Sequence, residues 1–449
     1  VLEDLVGARA VENMISRRMT NSGPLTLGQC LLSDLTDLPS ESTRSEPVPK
    51  KPLRILIAAD TFAPDVNGAA RFAERLAAGM VARGHEVQIM APAASRKFGT
   101  WTEVHEGQPM VVHRLQSWRW YPHDWLRYAL PWFIPRETRR ILDTFNPDVV
   151  HFQSHINVGR AVTIEAAKRG IRIIGTNHFM PENMLEFTLV PKGLHERIIK
   201  GAWRAARRTF GRAEAVTTPT LRAAQFLERY TGLEGVLAIS CGIDAQNYVA
   251  SFTPRTENRI LFVGRVTGEK QIDVLLQAVA LLSPDLDVKV EIVGGGDQKR
   301  NLEHLSQTLG LSGRVTFTGY VTDAELATAY TRSTVFAMPS IAELQSIATM
   351  EAMASGLPIV AANAMALPHL VHDGQNGYLF EPGYAQDLAD QLTTVLTAAP
   401  NELDALKKES LRLIGAHDIN RTLNTFECLY RGEPVIDAVT SDTVARGAE

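Results

Sequence analysis

Glu343 and Glu351 stand with seven residues between them in the stretch MPSIAELQSIATMEAMASGLPIVAAN, Met338 to Asn363. The apolar run Thr334 to Met338 reads as a buried strand that Pro339 ends. Ser346 is a good N-cap and Gly356 a good C′ residue, so a helix is predicted between them. Glu343 then lies in a loop beside the unpaired N–H groups of a helix's first turn, a setting that favours an anion. Glu351 lies a turn or so into the helix, where a carboxylate can accept a pair of hydroxyls. Such an arrangement could hold a phosphate at the helix end, a sugar against Glu343 and a ribose diol at Glu351. Spacing alone leaves open that both glutamates are simply solvated.

A second loop supplies positive charge. In LFVGRVTGEKQIDVLLQAV, Gly264 and Arg265 directly follow a strand, and Lys270 comes five residues after Arg265, just before a helix. Glycine permits close backbone approach, and two fixed cations suit a diphosphate; a solvated basic loop is the competing reading. A third loop, VEIVGGGDQKRNL, places Gly294, Gly295 and Gly296 at another strand end. It lacks the full G-x-G-x-x-G of a dinucleotide fingerprint and is weak alone.

The elements that must position these loops have a regular rhythm. LRILIAAD, HEVQIMAP, PDVVHFQ, IRIIGTNHF and AEAVTTPT read as strands, with a helix pattern in AARFAERLAAGMVARG. Around Gly242 the rhythm starts afresh with NRILFVGR, VKVEIVGGG, RVTFTGYV, TVFAMPS and LPIVAAN. β-Branched strands alternating with amphipathic helices imply parallel sheets covered on both faces, here as two doubly wound α/β domains. In such sheets ligands bind outside the carboxyl ends of the strands, where the residues above fall. A last helix pattern, ALKKESLRLIGAHDINRTLNTFECLYRG, follows the final strand and is positioned to cross back to the first domain. The expected division is a poorly ordered extension over 1–52, a first domain over 53–240, a second over 241–410, a returning helix over 411–432 and a flexible tail over 433–449.

Bulk properties narrow the class. A chain of 449 residues is too long for one ordinary core, and 45% hydrophobic with 21% charged residues is typical of a soluble globular protein. A net charge of −4 offers no basic excess for nucleic acid. Cys30, Cys241 and Cys428 match neither a disulfide framework nor a zinc spacing, which favours a reducing cytoplasm. No apolar run approaches the ~18 residues of a spanning helix, and VLEDLVGARAVENMISRRMT lacks the apolar core of a secretory signal.

GRVTGEK, GGGD, FTGYVTDAELATAY, PSIAELQSIATMEAMASGLPIVAAN and GQNGYLFEPG, with FAPDVNGAARFAERLAAGMVARGHEVQIMAP near the start, together resemble glycosyltransferase family 4. The likeness runs from about Arg54 to Tyr430 with the motifs in matching order. It implies a GT-B architecture: two Rossmann-like domains facing a central cleft, acceptor bound mainly by the first and nucleotide sugar by the second. The implied reaction is sugar transfer from a nucleotide diphosphate sugar with the anomeric configuration retained. By resemblance, Glu343 meets the donor sugar and Glu351 the ribose, while Arg265 and Lys270 grip the diphosphate and stabilise the departing charge. Gly264, Gly295 and Ser346 belong to the same donor-binding set. His178, in GTNHFMPE, matches a first-domain histidine facing the donor sugar, although a satisfied buried histidine is its bland reading. Gly68, in DVNGAA, matches the glycine loop that lets the backbone approach sugar and phosphate. No metal or other cofactor is expected, since Arg265 and Lys270 supply the charge. Asp285-Leu-Asp287 matches the metal-binding D-x-D of a different transferase architecture and reads as coincidence.

One departure bears on substrate. The usual E-x-F-G reads ELQS here, with Gln345 for the aromatic and Ser346 for the glycine. Versions with Leu-Gln after the first glutamate resemble enzymes that glycosylate diacylglycerol and related lipids. GDP-mannose and UDP-glucose are both compatible donors.

Two first-domain segments fit a membrane surface, although rings that pack the domain's own core or bind sugar, and a merely solvated basic face, are the competing readings. QSWRWYPHDWLRYALPWF carries Trp118, Trp120, Trp125 and Trp132, and indole favours the water–bilayer boundary. HERIIKGAWRAARRTFGR sets Arg197, Lys200, Arg204, Arg207 and Arg208 at helical spacing, with Ile198, Ile199, Ala202, Trp203, Ala206 and Phe210 over much of the other side. The expected partners are therefore a nucleotide-sugar donor, a lipid or carbohydrate acceptor and an anionic membrane, at the inner face of the cell membrane. The rival readings are a transferase making a soluble product, a nucleotide-sugar epimerase, and a nucleotide-sugar-binding protein without catalysis.

Overall fold

The computed structural model describes residues 50–449 except 66, 120–126, 181–191, 255–256, 436–437 and 439–449. Residues 1–49 of the expected N-terminal extension, most of the expected tail, Trp120 and Trp125 lie outside the described residues, and Cys30 with them. The chain divides into Val1–Lys51 and one compact unit, Pro52–Glu449.

The first lobe runs β1 (Arg54–Ala58), α1 (Gly68–Ala82), β2 (Glu86–Pro92), β3 (Gly99–His105), β4 (Gln108–Leu115), β5 (Ser117–Arg119), β6 (Arg127–Ala129), α2 (Ile134–Phe145), β7 (Val149–Phe152), α3 (Asn157–Lys168), β8 (Arg172–Thr176), α4 (Lys192–Phe210), β9 (Ala215–Thr218), α5 (Leu221–Thr231) and β10 (Leu237–Ala238). The second runs β11 (Arg259–Val263), α6 (Ile272–Leu281), β12 (Lys289–Val293), α7 (Lys299–Thr308), β13 (Val315–Gly319), α8 (Asp323–Arg332), β14 (Val335–Met338), α9 (Ile347–Ala354), β15 (Ile359–Ala362), α10 (Leu367–Leu370), β16 (Gly377–Phe380), α11 (Ala385–Leu396), α12 (Pro400–Ile414) and α13 (Ile419–Arg431).

The first sheet has the order β10-β9-β8-β7-β1-β2-β4-β3 and the second β13-β12-β11-β14-β15-β16. All the sequence-predicted strands pair in parallel, with registers such as Ile57↔Ile89 and Leu261↔Phe336. Alternation along β1 explains the double cover: Leu56 and Ala58 pack into one cluster with α2, α3 and α4, while Ile55 and Ile57 join the other with α1. Two expectations need correction. The first sheet is not wholly parallel, because Gly99–His105 turns back through Glu106 and Gly107, both at positive φ, and pairs antiparallel with β4. The segment 405–432 does not form one helix. Gly415–His417 makes a tight turn after α12, and Asp418 starts α13 afresh by accepting from the Asn420 and Arg421 amides.

α13 returns to the first lobe. His151 and Tyr430 share a hydrogen bond of 2.7 Å, and Phe426 stacks against His151 and packs on Phe72. Each sheet reverses its winding direction at one point, between β1 and β7 in the first and between β11 and β14 in the second. Such reversals open crevices at the carboxyl ends of the strands.

Candidate active site

The crevice of the second lobe holds the charged candidates. Arg265 and Lys270 lie on the loop after β11; Glu343 and Ser346 lie on the loop after β14. The Glu269 carbonyl accepts from the Ile341 amide at 3.1 Å and the Ser340 hydroxyl at 3.3 Å, so one residue laces the two loops together. Its carboxylate accepts from Arg265 Nη2 at 3.1 Å and the Thr267 hydroxyl at 2.7 Å, fixing the guanidinium. Lys270 Nζ bonds directly to Glu343 Oε1. Glu343 and Glu351 are only 8% and 9% exposed, which rules out two solvated glutamates.

α9 begins where expected. The Ser346 hydroxyl accepts from the Thr349 amide, and Gly356 beyond the C-terminus sits at φ +69°. Ser346 satisfies the third amide of the helix, and the first two make no backbone hydrogen bond among the described residues. Gly68, the first residue of α1, lies against Ile347, the first of α9: a β-carbon on Gly68 would stand 3.7 Å from Ile347 Cδ1. Two helix N-termini, each carrying partial positive charge, therefore approach one another across the lobes.

The glycines after β12 serve the loop after β11. Gly294 has φ +128°, and a β-carbon there would meet the Gly264 carbonyl oxygen at 2.0 Å. The Val266 amide donates to Gly295 O at 2.9 Å. This triplet brings backbone against backbone and so holds the Gly264–Arg265 loop in place.

Glu351 is met from both lobes. Its Oε2 accepts from the Tyr330 hydroxyl at 3.0 Å, and its Oε1 from Arg75 Nη2 of α1 at 3.1 Å. Burial and the Glu351 charge raise the Tyr248 phenol beside them above its ordinary pKa.

Around His178 the first-lobe wall of the crevice is neutral. His178 follows β8, with its ring 4.8 Å from Phe72 and its Nε2 3.1 Å from Gln153 Oε1. Burial pushes its pKa down to about 3, so it is a neutral imidazole that donates to the amide oxygen. Gln153 Nε2 and His155 Nδ1 are buried atoms without a hydrogen-bond partner among the described residues. Asp60, whose carboxyl is raised by burial, accepts from Ser154 and from the Val158 amide at 3.0 Å, pinning the loop that carries both.

Gln345, the family departure, acts at the junction of the lobes. It accepts from the Cys241 amide at 2.7 Å and donates to the Ser240 hydroxyl at 3.0 Å. Asp285 and Asp287 fall before β12, at the opposite edge of the sheet from the crevice. Among the described residues no group of three or more His, Cys, Asp or Glu side chains is arranged to hold a metal. A separate cavity of about 390 Å³, lined by Phe98, His113, Phe133, Glu137 and Arg140, contains none of the predicted site residues.

At the surface, Trp118 and Trp132 are 64% and 68% exposed. α4 buries Trp203, Ala206 and Phe210, while Ile198 and Leu194 are exposed beside Arg197, Lys200 and Arg204. Among the described residues no helix is long and apolar enough to cross a membrane.

Residues 66–247 match the model of Glycosyltransferase Family 4, and residues 246–411 that of Glycosyl transferases group 1. The chain is a glycosyltransferase, with a Family 4 domain followed by a group 1 domain. A GDP-mannose-dependent alpha-mannosyltransferase of Mycolicibacterium smegmatis is 29% identical to this glycosyltransferase over 73% of its chain and 84% of the relative. An alpha-monoglucosyldiacylglycerol synthase of Streptococcus pneumoniae is 23% identical over 88% and 90%. The solved sucrose-phosphate synthase of Thermosynechococcus elongatus shares the GT-B fold, with a TM-score of 0.72 at 20% identity over 85% of this chain and 99% of that one.

Sequence reading named the charged loop residues but missed Arg75, Tyr330, Gln153 and the lacing role of Glu269. Glu269 and Gln153 lie inside quoted motifs and were open to notice at strand ends. Arg75 had no local signal, because its partner is 276 residues away.

Proposed function

We propose that this glycosyltransferase moves a hexose from GDP-mannose or UDP-glucose to a hydroxyl of a membrane glycerolipid or glycolipid, with retention, at the inner face of the cell membrane. The observation that carries the reading is the gathering of Arg265, Lys270, Glu343 and the start of α9 in one crevice. The donor diphosphate exchanges partners with the carboxylates, taking the Arg265 and Lys270 cations while its oxygens face the first two α9 amides. Glu351 accepts the ribose hydroxyls, and Glu343 and His178 flank the sugar.

The bond from the anomeric carbon to the diphosphate oxygen breaks, and its electron pair leaves with the nucleoside diphosphate. Arg265, Lys270 and the helix end stabilise that charge as it develops. The acceptor oxygen attacks from the face the leaving group vacates. Its proton passes to a phosphate oxygen of the leaving group, so no dedicated base is required. Glu343 stabilises the positive charge building on the sugar ring.

The lipid acceptor is supported by the Leu-Gln after Glu343 and by the likeness to the diacylglycerol-linked synthase along most of both chains. It is also supported by the surface. Crossover helices run back against the strands, so Trp132 and Phe133 before α2, and Leu194 and Ile198 in α4, fall near the crevice-side ends of their helices. α2 and α4 both flank α3 in one apolar cluster. Exposed apolar side chains among Arg197, Lys200 and Arg204 suit an anionic leaflet, each cation contributing about 1 kcal/mol.

The test is to incubate purified protein with each donor and a lipid extract, then determine product mass, linkage and anomeric configuration. A lipid-soluble hexoside with the donor's configuration is expected. Transfer to a soluble acceptor alone, or an inverted product, would replace this reading. In parallel, flotation with anionic vesicles should show binding that weakens as salt rises.

A further inference from the structure

We infer that Arg75, reaching over from the first lobe, is a positioning residue of the ribose subsite: it holds the Glu351 carboxylate so that two acceptor positions remain for the nucleotide's vicinal diol. The inference rests on the assignment of ribose to Glu351 made above. Arg75 lies seven residues into α1 from Gly68, about two helical turns from the end that meets α9. Its side chain is 18% exposed and that of Glu351 11%, so the 3.1 Å pair is shielded from water. An ionised carboxylate offers about four acceptor positions on its two oxygens. Tyr330 takes one on Oε2 and Arg75 one on Oε1, which leaves one on each oxygen, with the Tyr248 phenol close enough to compete with the diol for one of them. A cis-diol has two hydroxyls to donate, at a separation that two oxygens of one carboxylate can meet. Arg75 Nη1 is a buried donor with no hydrogen-bond partner among the described residues, and it stands ready for an oxygen of the same ligand.

The guanidinium does two things for this subsite. It fixes the rotation of the carboxylate, which would otherwise be held only by Tyr330 among these hydrogen bonds, and it keeps a positive charge beside an acid in a poorly hydrated place. Because Arg75 belongs to one lobe and Glu351 to the other, a ribose seated at Glu351 favours the lobes being together.

Calorimetric titration with UDP, GDP and their 2′,3′-dideoxy analogues tests this on the wild type, Arg75→Met, Arg75→Lys and Glu351→Gln. The wild type is expected to prefer each ribonucleotide over its dideoxy analogue by about tenfold or more. Arg75→Met should lose most of that preference, weakening the ribonucleotides about tenfold and the dideoxy forms less than twofold. Glu351→Gln should behave alike, and Arg75→Lys should keep part of the preference. Equal weakening of both nucleotide types in Arg75→Met would show that Arg75 only packs the lobes. Tighter ribonucleotide binding would show that it competes with the diol, and either result overturns the inference. If Arg75→Met fails to fold, Arg75→Lys and Glu351→Gln decide by the same comparison. A wild type without ribose preference would instead remove the assignment of ribose to Glu351.

Discussion

The two walls of the crevice are built from the same strand–loop–helix unit and handle charge in opposite ways. On the second-lobe wall the cations Arg265 and Lys270 each bond to a carboxylate, Glu269 and Glu343. On the part of the first-lobe wall around Gln153 the titratable groups are neutral, His178 and His155 being lowered by burial to about 3 and about 4, while the Arg75 cation lies apart on Glu351. The contrast teaches how a cleft can bind a polyanion and a polyol at once. A cation awaiting a diphosphate is kept folded and oriented by a carboxylate that gives way to the ligand. A wall that must meet hydroxyls needs donors and acceptors of fixed direction, and a charge there would add desolvation cost without a partner.

Breaking the charged wall should have the largest effect. Lys270→Ala is expected to lower transfer by about a thousandfold or more, with Glu343→Gln close behind, because both act where charge develops. Thermal unfolding should remain a single transition in each. Turnover near that of the wild type in either variant would remove these residues from the mechanism.

Altering the neutral wall should cost less and fall elsewhere. His178→Ala and Gln153→Ala are expected to lower kcat about ten- to a hundredfold while nucleoside diphosphate affinity changes less than twofold. A large loss of nucleotide affinity in either would place the diphosphate against the wrong wall.

A last effect falls on stability rather than on turnover, through pH. His113, His151, His155 and His178 of the first lobe, and His417 beside the junction, are all held by burial at about 3 to 4. The unfolded chain takes up protons below pH 6.5 while the folded one does not. Stability is therefore fully present above 6.5 and is lost as pH falls toward 4, on the order of 1 kcal/mol per pH unit for each such histidine. All six tryptophans precede β9, so their fluorescence reports the first lobe. Its thermal midpoint should fall through this window. A midpoint flat from pH 7 to 4.5 would mean that these imidazoles are not buried neutral.

Much of the fold was legible in the residues because it depends on local pattern. Apolar runs of strand length, helix caps such as Ser346 and Gly356, and glycines after strands are set by backbone sterics and by water's exclusion of apolar surface. The β3–β4 hairpin was harder to read, since Gly99–His105 carries only Trp101 and Val104 as apolar side chains and is largely exposed. The break between α12 and α13 was written only in Gly415 and Asp418, inside an otherwise continuous helical pattern.

The sequence by itself determined the two doubly wound halves, the family, and the loops on which Arg265, Lys270, Glu343 and Glu351 stand, because each depends on residues within a few positions of one another. Only the tertiary structure decided that Arg75 meets Glu351, that Gln345 ties a donor loop to Cys241, and that His178 is a neutral donor to Gln153. Those contacts join residues between 25 and 276 positions apart. Their strength comes from burial that exists only once the sheets and their helices have closed around them.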